Sequence, residues 1–159
     1  MKFINRELGL GINITEIFLN QLTEISLSHY PNEFGGLLIG TYSHDRKEVF
    51  IMDTLLPKKY TSSKFGFYRE IKGIEKQLHK HYKRKPCQYY IGEWHSHPDN
   101  LAIPSATDLK AFQDIVSHEE VLIENPILLI LGVNKIYCDY SFYVIYNQIF
   151  LKYEKEGKS

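Results

Sequence analysis

The residue types best suited to catalysis lie in one short segment, His95-Ser-His-Pro98, followed six residues later by Ser105-Ala-Thr-Asp108. Residues two apart on a strand share one face, with their Cβ atoms about 6.5–7 Å apart, so the two imidazoles can converge on one ion. Asp108 lies one turn into a following predicted helix, where its carboxylate can face back toward them. Two neutral imidazoles and one carboxylate leave a fourth position open, as in a catalytic zinc site. We therefore predict that His95, His97 and Asp108 bind Zn²⁺.

Each part of this pattern also has an ordinary explanation. Ser105 with Asp108 three residues later is a common way to begin a helix, and Ser105 can cap the helix whatever else it does. A His-x-His pair on a strand is often an interior or surface pair without a ligand. Together, however, the five fixed identities would arise by chance in roughly one in 10⁵ chains of this length. The combined spacing therefore favours a metal site.

A hydrolytic metal site also needs a general base, and two glutamates are candidates. Glu33 precedes Phe34-Gly35-Gly36 at the junction of a predicted helix and a buried strand. Glu93 has the same strand parity as His95 and His97. The spacing of the residues does not decide between the two.

The hydrophobic pattern predicts the elements that would position these residues. A first helix is predicted with a capping box at Asn13 and Glu16, a stop at Pro31 and an apolar face of Ile14, Ile17, Phe18, Leu22 and Ile25. A second is predicted to stop at Pro86 and to have an apolar face of Tyr68, Ile71, Ile74, Leu78 and Tyr82. A third is predicted over Ser105–Ser117, with Leu109, Phe112, Ile115 and Val116 inward. Strands are predicted over Phe34–Gly40, Glu48–Leu55, Gln88–Trp94, Ile127–Gly132 at the centre of the sheet, and a hairpin of Tyr140–Tyr146 with Ile149–Tyr153. Residues Tyr60–Gly66 are expected to form a loop.

Length and composition favour one globular domain over residues 1–159. Of the 159 residues, 43% are apolar and 24% are charged, which argues against a disordered chain. The 19 Lys and Arg residues balance the 19 Asp and Glu residues, so a nucleic-acid or membrane-surface partner is not expected. The longest strongly apolar run, Ile127–Val133, is far short of the roughly 20 residues of a membrane helix. We expect a cytoplasmic protein.

These residues resemble a known family. Glu33 followed by Gly-Gly-Leu-Leu-Ile-Gly, then His95-Ser-His-Pro98 and Ser105-x-x-Asp108, is similar to the JAMM motif of MPN-type metalloproteases. The resemblance covers about Ile12 to Leu131 and every motif position is filled. Gly92-Glu-Trp-His95 departs from many eukaryotic members, which have Trp directly after the glycine. The chain looks more like the short prokaryotic members, including deconjugating peptidases of antiviral cyclic-oligonucleotide signalling operons.

The resemblance implies a fold and an activity. The fold would be an α/β (α+β) mixed β-sheet between helices, an MPN/JAMM-like architecture similar to that of cytidine deaminases. His95, His97 and Asp108 would be the zinc ligands, Glu33 the general base and later the general acid, and Ser105 a stabiliser of the oxyanion. The reaction would be hydrolysis after the C-terminal residue of a ubiquitin-like or similarly conjugated protein, made by an E1/E2-like system. Deconjugation and precursor trimming both remain open, as do the oligomeric state and the identity of the substrate.

Other function classes are less well supported. A non-catalytic MPN scaffold that binds protein partners is the main alternative, although such domains usually lack a ligand and none is missing here. A zinc deaminase needs Pro-Cys-x-x-Cys, and Tyr90 stands where the second cysteine would be. Two further segments have open roles: the 60–66 loop, as a substrate contact, and the basic stretch 79–85, as a docking site for an acidic partner or a solvated helix end.

Overall fold

The computed structural model describes residues 1–70, 72–119 and 121–157, and within them the chain forms ten strands and three helices. The strands are β1 (Lys2–Asn5), β2 (Leu10–Asn13), β3 (Gly35–Tyr42), β4 (Glu48–Leu55), β5 (Tyr60–Ser63), β6 (Gly66–Arg69), β7 (Tyr89–Pro98), β8 (Ile127–Val133), β9 (Cys138–Tyr146) and β10 (Ile149–Lys155). The helices are α1 (Glu16–His29), α2 (Ile74–Tyr82) and α3 (Ala106–Val116). The mixed α/β class is confirmed.

Eight of the strands form one mixed sheet in the order β1-β10-β9-β8-β7-β3-β4-β2, and this sheet closes into a barrel. The pairs β7–β8 and β2–β4 are parallel, and the other pairs are antiparallel. A sheet held between layers of helices is not confirmed, because β1 and β2 join its two ends by pairing with β10 and β4. Each of these two strands has only four residues, too few for a periodic pattern to predict it.

The core lies against β8, whose seven residues are all buried. This strand lies between β7 and β9, as its continuous apolar run predicts. Leu19 and Leu22 of α1 belong to the same cluster of buried side chains as Leu129 and Leu131 of β8. Burial of this apolar surface stabilises the sheet that carries β7.

The N-cap of helix α1 lies two residues later than predicted. Thr15 is the N-cap, and its Oγ1 accepts a hydrogen bond from the Phe18 amide at 3.1 Å. The predicted cap, Asn13, instead ends β2, and its side-chain amide donates to Glu48 Oε2 at 3.0 Å. The predicted inward face is also wrong at Ile17, which is 73% exposed.

The expected loop at Tyr60–Gly66 is wrong. The segment forms an antiparallel hairpin of β5 and β6, in which Ser63 pairs with Gly66 across a two-residue turn. Tyr68, predicted to lie on a helix, belongs to β6 and is exposed. Helix α2 starts only at Ile74, because Gly73 before it has a left-handed φ of 92° that breaks the helical run.

The remainder of that second predicted helix agrees only in part. Ile71 lies outside the described residues. The helix ends at Tyr82 and so stops before it reaches Pro86.

The other predicted elements are confirmed, including those around the site. The β3–β4 and β9–β10 hairpins form, and α3 follows its Ser105 cap. Strand β7 extends to Pro98 and therefore includes both histidines. No helix in the described part of the chain combines the length and apolar character that crossing a membrane requires.

Candidate metal centre and active site

His95 and His97 lie at the carboxyl end of β7, on one face of the strand. This end of β7 is held between β3, where Gly35 pairs with His95, and β8, where Ile130 pairs with His95. The Nε2 atoms of the two imidazoles are 3.0 Å apart. The alternation of a strand thus brings the two rings together, as their spacing predicts.

Asp108 reaches the histidines from the first turn of α3. Its two carboxylate oxygens face different imidazoles: Oδ1 lies 3.2 Å from His95 Nε2, and Oδ2 lies 3.3 Å from His97 Nε2. One potential ligand atom from each of the three residues lies within 4.8 Å of the others. The structure therefore brings together all three residues that the sequence pattern assigns to the metal.

Ser105 fixes this turn of α3 through a capping box. The Ser105 Oγ accepts from the Asp108 amide at 3.1 Å, and Asp108 Oδ2 accepts from the Ser105 amide at 2.6 Å. The Ser105 hydroxyl also donates to Asp108 Oδ2 at 2.7 Å. The capping role of Ser105 is therefore present, and the same contacts orient the Asp108 carboxylate.

The charges of His95, His97 and Asp108 interact strongly, because the three side chains are close together and mostly buried. Although burial opposes it, the hydrogen bonds from His95 and His97 hold the pKa of Asp108 well below its usual range. Burial alone would lower the pKa of His97, but the hydrogen bond and charge of Asp108 raise it above 6.5. Without a metal the cluster thus favours a protonated imidazole beside a carboxylate. A divalent cation can take the place of that proton, and two nitrogens with one oxygen suit Zn²⁺.

Glu33 lies beside this cluster, directly before β3. Burial raises the pKa of its carboxyl group; the His95 and His97 charges lower it in part, and the Asp108 charge raises it. The Glu33 amide donates to Ser63 O at 2.8 Å, and the hydroxyl of Ser62 donates to Glu33 O. The backbone of Glu33 is therefore held by β5.

The residue after Glu33 is tied to β7 between the two histidines. The Phe34 amide donates to Ser96 Oγ at 3.1 Å, and the Ser96 amide donates to Phe34 O at 2.8 Å. Ser96 is fully buried on the face of β7 opposite to His95 and His97. Sequence reasoning missed this role, which the alternation of the strand could have indicated.

Glu93, the other candidate base, is in a different situation. Its carboxylate accepts two hydrogen bonds from Arg69, one of them from Nε to Oε2 at 3.2 Å, and a third from the Tyr90 hydroxyl at 2.8 Å. Both of its oxygens are therefore occupied by strong donors. Sequence reasoning missed the contact with Arg69. The pattern predicts a loop followed by a helix for this segment, whereas the segment forms a hairpin that brings Arg69 to Glu93.

Comparisons with known proteins identify the family of this chain and a shared fold. The family model described as prokaryotic homologs of the JAB domain matches residues 15–145. A CD-NTase/cGAS isopeptidase of Enterobacter hormaechei subsp. hoffmannii (strain UCI 50) is 32% identical over 122 residues, which are 76% of this chain and 67% of that protein. The solution structure of a protein from Desulfitobacterium hafniense matches with a TM-score of 0.63 and 18% identity over 90% of each chain, which shows a shared fold alone.

The family match covers most of the chain and includes Glu33, both histidines, Ser105 and Asp108. The resemblance to short prokaryotic JAMM/MPN-type proteins is thereby confirmed, and the chain belongs to the prokaryotic homologs of the JAB domain.

Proposed function

We propose that the protein is a zinc-dependent JAMM-type isopeptidase or peptidase. It hydrolyses the bond after the C-terminal residue of a ubiquitin-like or similarly conjugated protein. The observation that carries this proposal is that His95, His97 and Asp108 converge, with the Glu33 carboxyl group near enough for their charges to shift its pKa. The name of the relative from Enterobacter hormaechei, an isopeptidase, supports the same reaction class.

In this proposal His95, His97 and Asp108 hold the zinc ion. Their donor atoms, two imidazole nitrogens and one carboxylate oxygen, are those of catalytic zinc sites that keep a position open. When bound, zinc supplies a Lewis acid that polarises the scissile carbonyl and makes a water molecule more acidic.

Glu33 moves the proton in this mechanism. Its carboxylate takes a proton from the attacking water and later gives it to the amine that leaves as the C–N bond breaks. A pKa raised by burial suits both steps, because the group must be deprotonated first and then able to donate. Glu93 is poorly placed for this exchange, since Arg69 and Tyr90 occupy its carboxylate.

Ser105 is proposed to stabilise the oxyanion. Its hydroxyl donates to Asp108 Oδ2 in the structure. Rotation about the Cβ–Oγ bond of Ser105 would redirect the proton toward a substrate oxygen without moving Oγ. A donor placed there stabilises the negative charge that develops in the transition state. The capping function of the Ser105 oxygen does not require that proton.

The substrate we propose is a protein conjugated through its C-terminus to a lysine amine. The name of the Enterobacter hormaechei relative, a CD-NTase/cGAS isopeptidase, supports a conjugated CD-NTase-type protein as the substrate here. We also propose that an E1/E2-like system forms the conjugate. We further propose a role in antiviral cyclic-oligonucleotide signalling, with removal of the conjugated protein as the step performed by this chain.

The decisive experiment compares Glu33→Gln with Glu93→Gln on one substrate. The substrate is a CD-NTase-type protein joined through its C-terminus to a lysine of a fluorescent protein. We expect the zinc-loaded wild type to release the fluorescent protein and Glu33→Gln to lose about 10²–10⁴-fold in rate while keeping its zinc. Glu93→Gln should lose less. A large loss at Glu93 with near-normal turnover at Glu33 would reverse the assignment. Zinc binding without cleavage of any conjugate would instead favour a partner-binding scaffold.

The ligand set has its own test in Asp108→Ala. Two imidazoles bind zinc weakly, so elemental analysis of the purified variant should find most of the metal lost. A full equivalent of zinc in this variant would remove Asp108 from the ligand set.

A further inference from the structure

The β5–β6 hairpin, residues Tyr60–Arg69, is attached to the proposed general base. Its strand β5 holds the backbone of Glu33 through Ser62 and Ser63. Two aromatic rings of the hairpin pack against Phe34, the next residue: those of Tyr60 and Phe67, with centroids at 5.0 and 5.5 Å. The position of Glu33 therefore depends on the position of the hairpin.

The same hairpin is fastened to β7 at its other end. Arg69, the last residue of β6, donates two hydrogen bonds to Glu93, which lies two residues before His95. The Arg69 and Glu93 side chains are only 13% and 11% exposed, and the Tyr90 hydroxyl completes the cluster at 2.8 Å. A two-point Arg–carboxylate contact in such a place fixes orientation as well as distance.

We propose that Arg69 and Glu93 are positioning residues that hold Glu33 at a set place relative to the metal ligands. Glu93, His95 and His97 lie on one strand, so the Arg69–Glu93 pair fixes the position of the hairpin relative to the strand that carries the metal ligands. Arg69 of β6 pairs with Tyr60 of β5, and β5 in turn holds the backbone of Glu33. The inference rests on the proposed function, in which Glu33 is the base.

Geometry, more than stability, is the reason to assign this role. A buried ion pair is weak evidence of stabilisation, because apolar replacements of both partners are often neutral. A base misplaced by about 1 Å, in contrast, can lose about 10²-fold in rate. The pair is thus expected to matter more for turnover than for folding.

The test is the double variant Arg69→Met/Glu93→Gln. It removes the ion pair without leaving a charge buried, and the amide oxygen that Glu93→Gln introduces can still accept from the Tyr90 hydroxyl. We expect full zinc content, kcat lower by roughly 10- to 100-fold and KM near the wild-type value. NMR-detected hydrogen exchange gives a readout that needs no substrate: the Glu33 amide, bonded to Ser63, should exchange roughly tenfold faster or more relative to Leu129 of β8.

Two further variants complete the experiment. Arg69→Lys keeps the charge but loses the two-point contact, so its kcat and Glu33 exchange should fall between those of the wild type and the double variant. It also serves if the double variant fails to fold. The matched control is Asn5→Leu, which removes a buried polar side chain bonded to Lys152 O and the Leu8 amide, outside the hairpin. It should lower the melting temperature and leave kcat and Glu33 exchange unchanged.

The outcomes separate this inference from the proposed function. Wild-type kcat and wild-type Glu33 exchange in the double variant would overturn the positioning role and leave the proposed function intact. A rise in KM alone would also overturn it and assign the pair to substrate contact. If the wild type cleaves no conjugate, the proposed function fails, and the exchange rates still decide whether the pair holds Glu33.

Discussion

Ser105 combines a structural hydrogen bond with a proposed catalytic one. The capping contact stabilises α3, and an N-cap serine changed to alanine typically costs about 0.5–2 kcal/mol. We expect Ser105→Ala to melt at a lower temperature, to keep its zinc, and to hydrolyse the conjugate more slowly at temperatures where it is folded. Thermal melts, elemental analysis and steady-state rates measure the three effects. Turnover equal to that of the wild type would leave Ser105 with the capping role alone.

His97 makes zinc affinity depend on pH. Asp108 raises the pKa of His97 above 6.5 in the metal-free protein, and zinc needs the neutral imidazole. Asp108 stays ionised throughout this range, because its own pKa is well below the usual value. Affinity should therefore be full above the raised pKa of His97 and fall as the pH decreases through it. Competition with a chelator from about pH 8 to about pH 6 measures this decrease. A zinc affinity that stays constant over this pH range would contradict it.

At the scale of elements, the site depends on how closely β3 approaches β7. Gly35 pairs with His95, and a Cβ at Gly35 would lie 2.2 Å from Trp94 O and 2.8 Å from the His95 Cβ. Both atoms belong to the strand that carries the ligands, so the strands must separate to admit a methyl group. The absence of a side chain at this position is therefore a condition for the site.

We expect Gly35→Ala to destabilise the protein by about 1–3 kcal/mol or more and to weaken zinc binding. Denaturant unfolding and zinc titration of the same preparation measure the two effects. Gly66→Ala is the matched control, since Ser63 Oγ, at 3.8 Å, is the one atom of the described residues that its Cβ would meet, and it should melt close to the wild type. Normal zinc affinity in Gly35→Ala would show that the site tolerates separation of the two strands.

At the scale of the whole molecule, β1 closes the barrel. It pairs with β10 on one side and with β2 on the other. Its Phe3 is buried, with ring centroids 4.7 Å from Phe142 and 6.0 Å from Tyr140. The closure therefore rests on aromatic packing as well as on backbone hydrogen bonds.

We expect Phe3→Ala to lose about 3–5 kcal/mol of unfolding free energy, because a large cavity opens in the core. Urea unfolding measures the loss. The zinc content of the folded fraction should stay at the wild-type level, since the ligands lie on β7 and α3. Loss of zinc from protein that is still folded would show that barrel closure also shapes the site.

Parts of the candidate site follow from local sequence alone. The alternation of a strand places His95 and His97 on one face, and a capping box turns Asp108 toward the start of its helix. Both relations act over two or three residues, so spacing is enough to predict them. The continuous apolar run of β8 predicts the centre of the sheet for the same reason.

Tertiary structure decided what lies far apart in the chain. Glu33 could not be preferred over Glu93 from spacing, because its position beside the cluster depends on β3 pairing with β7 and on the hairpin that holds its backbone. The hairpin is not predicted because Tyr60–Gly66 reads as a loop and Tyr68 of β6 fits a helical spacing that Gly73 interrupts. The barrel was missed because β1 and β2 are short, and their partners lie at the other end of the chain and beyond α1. Such contacts depend on packing and backbone pairing between distant segments, which local spacing does not encode.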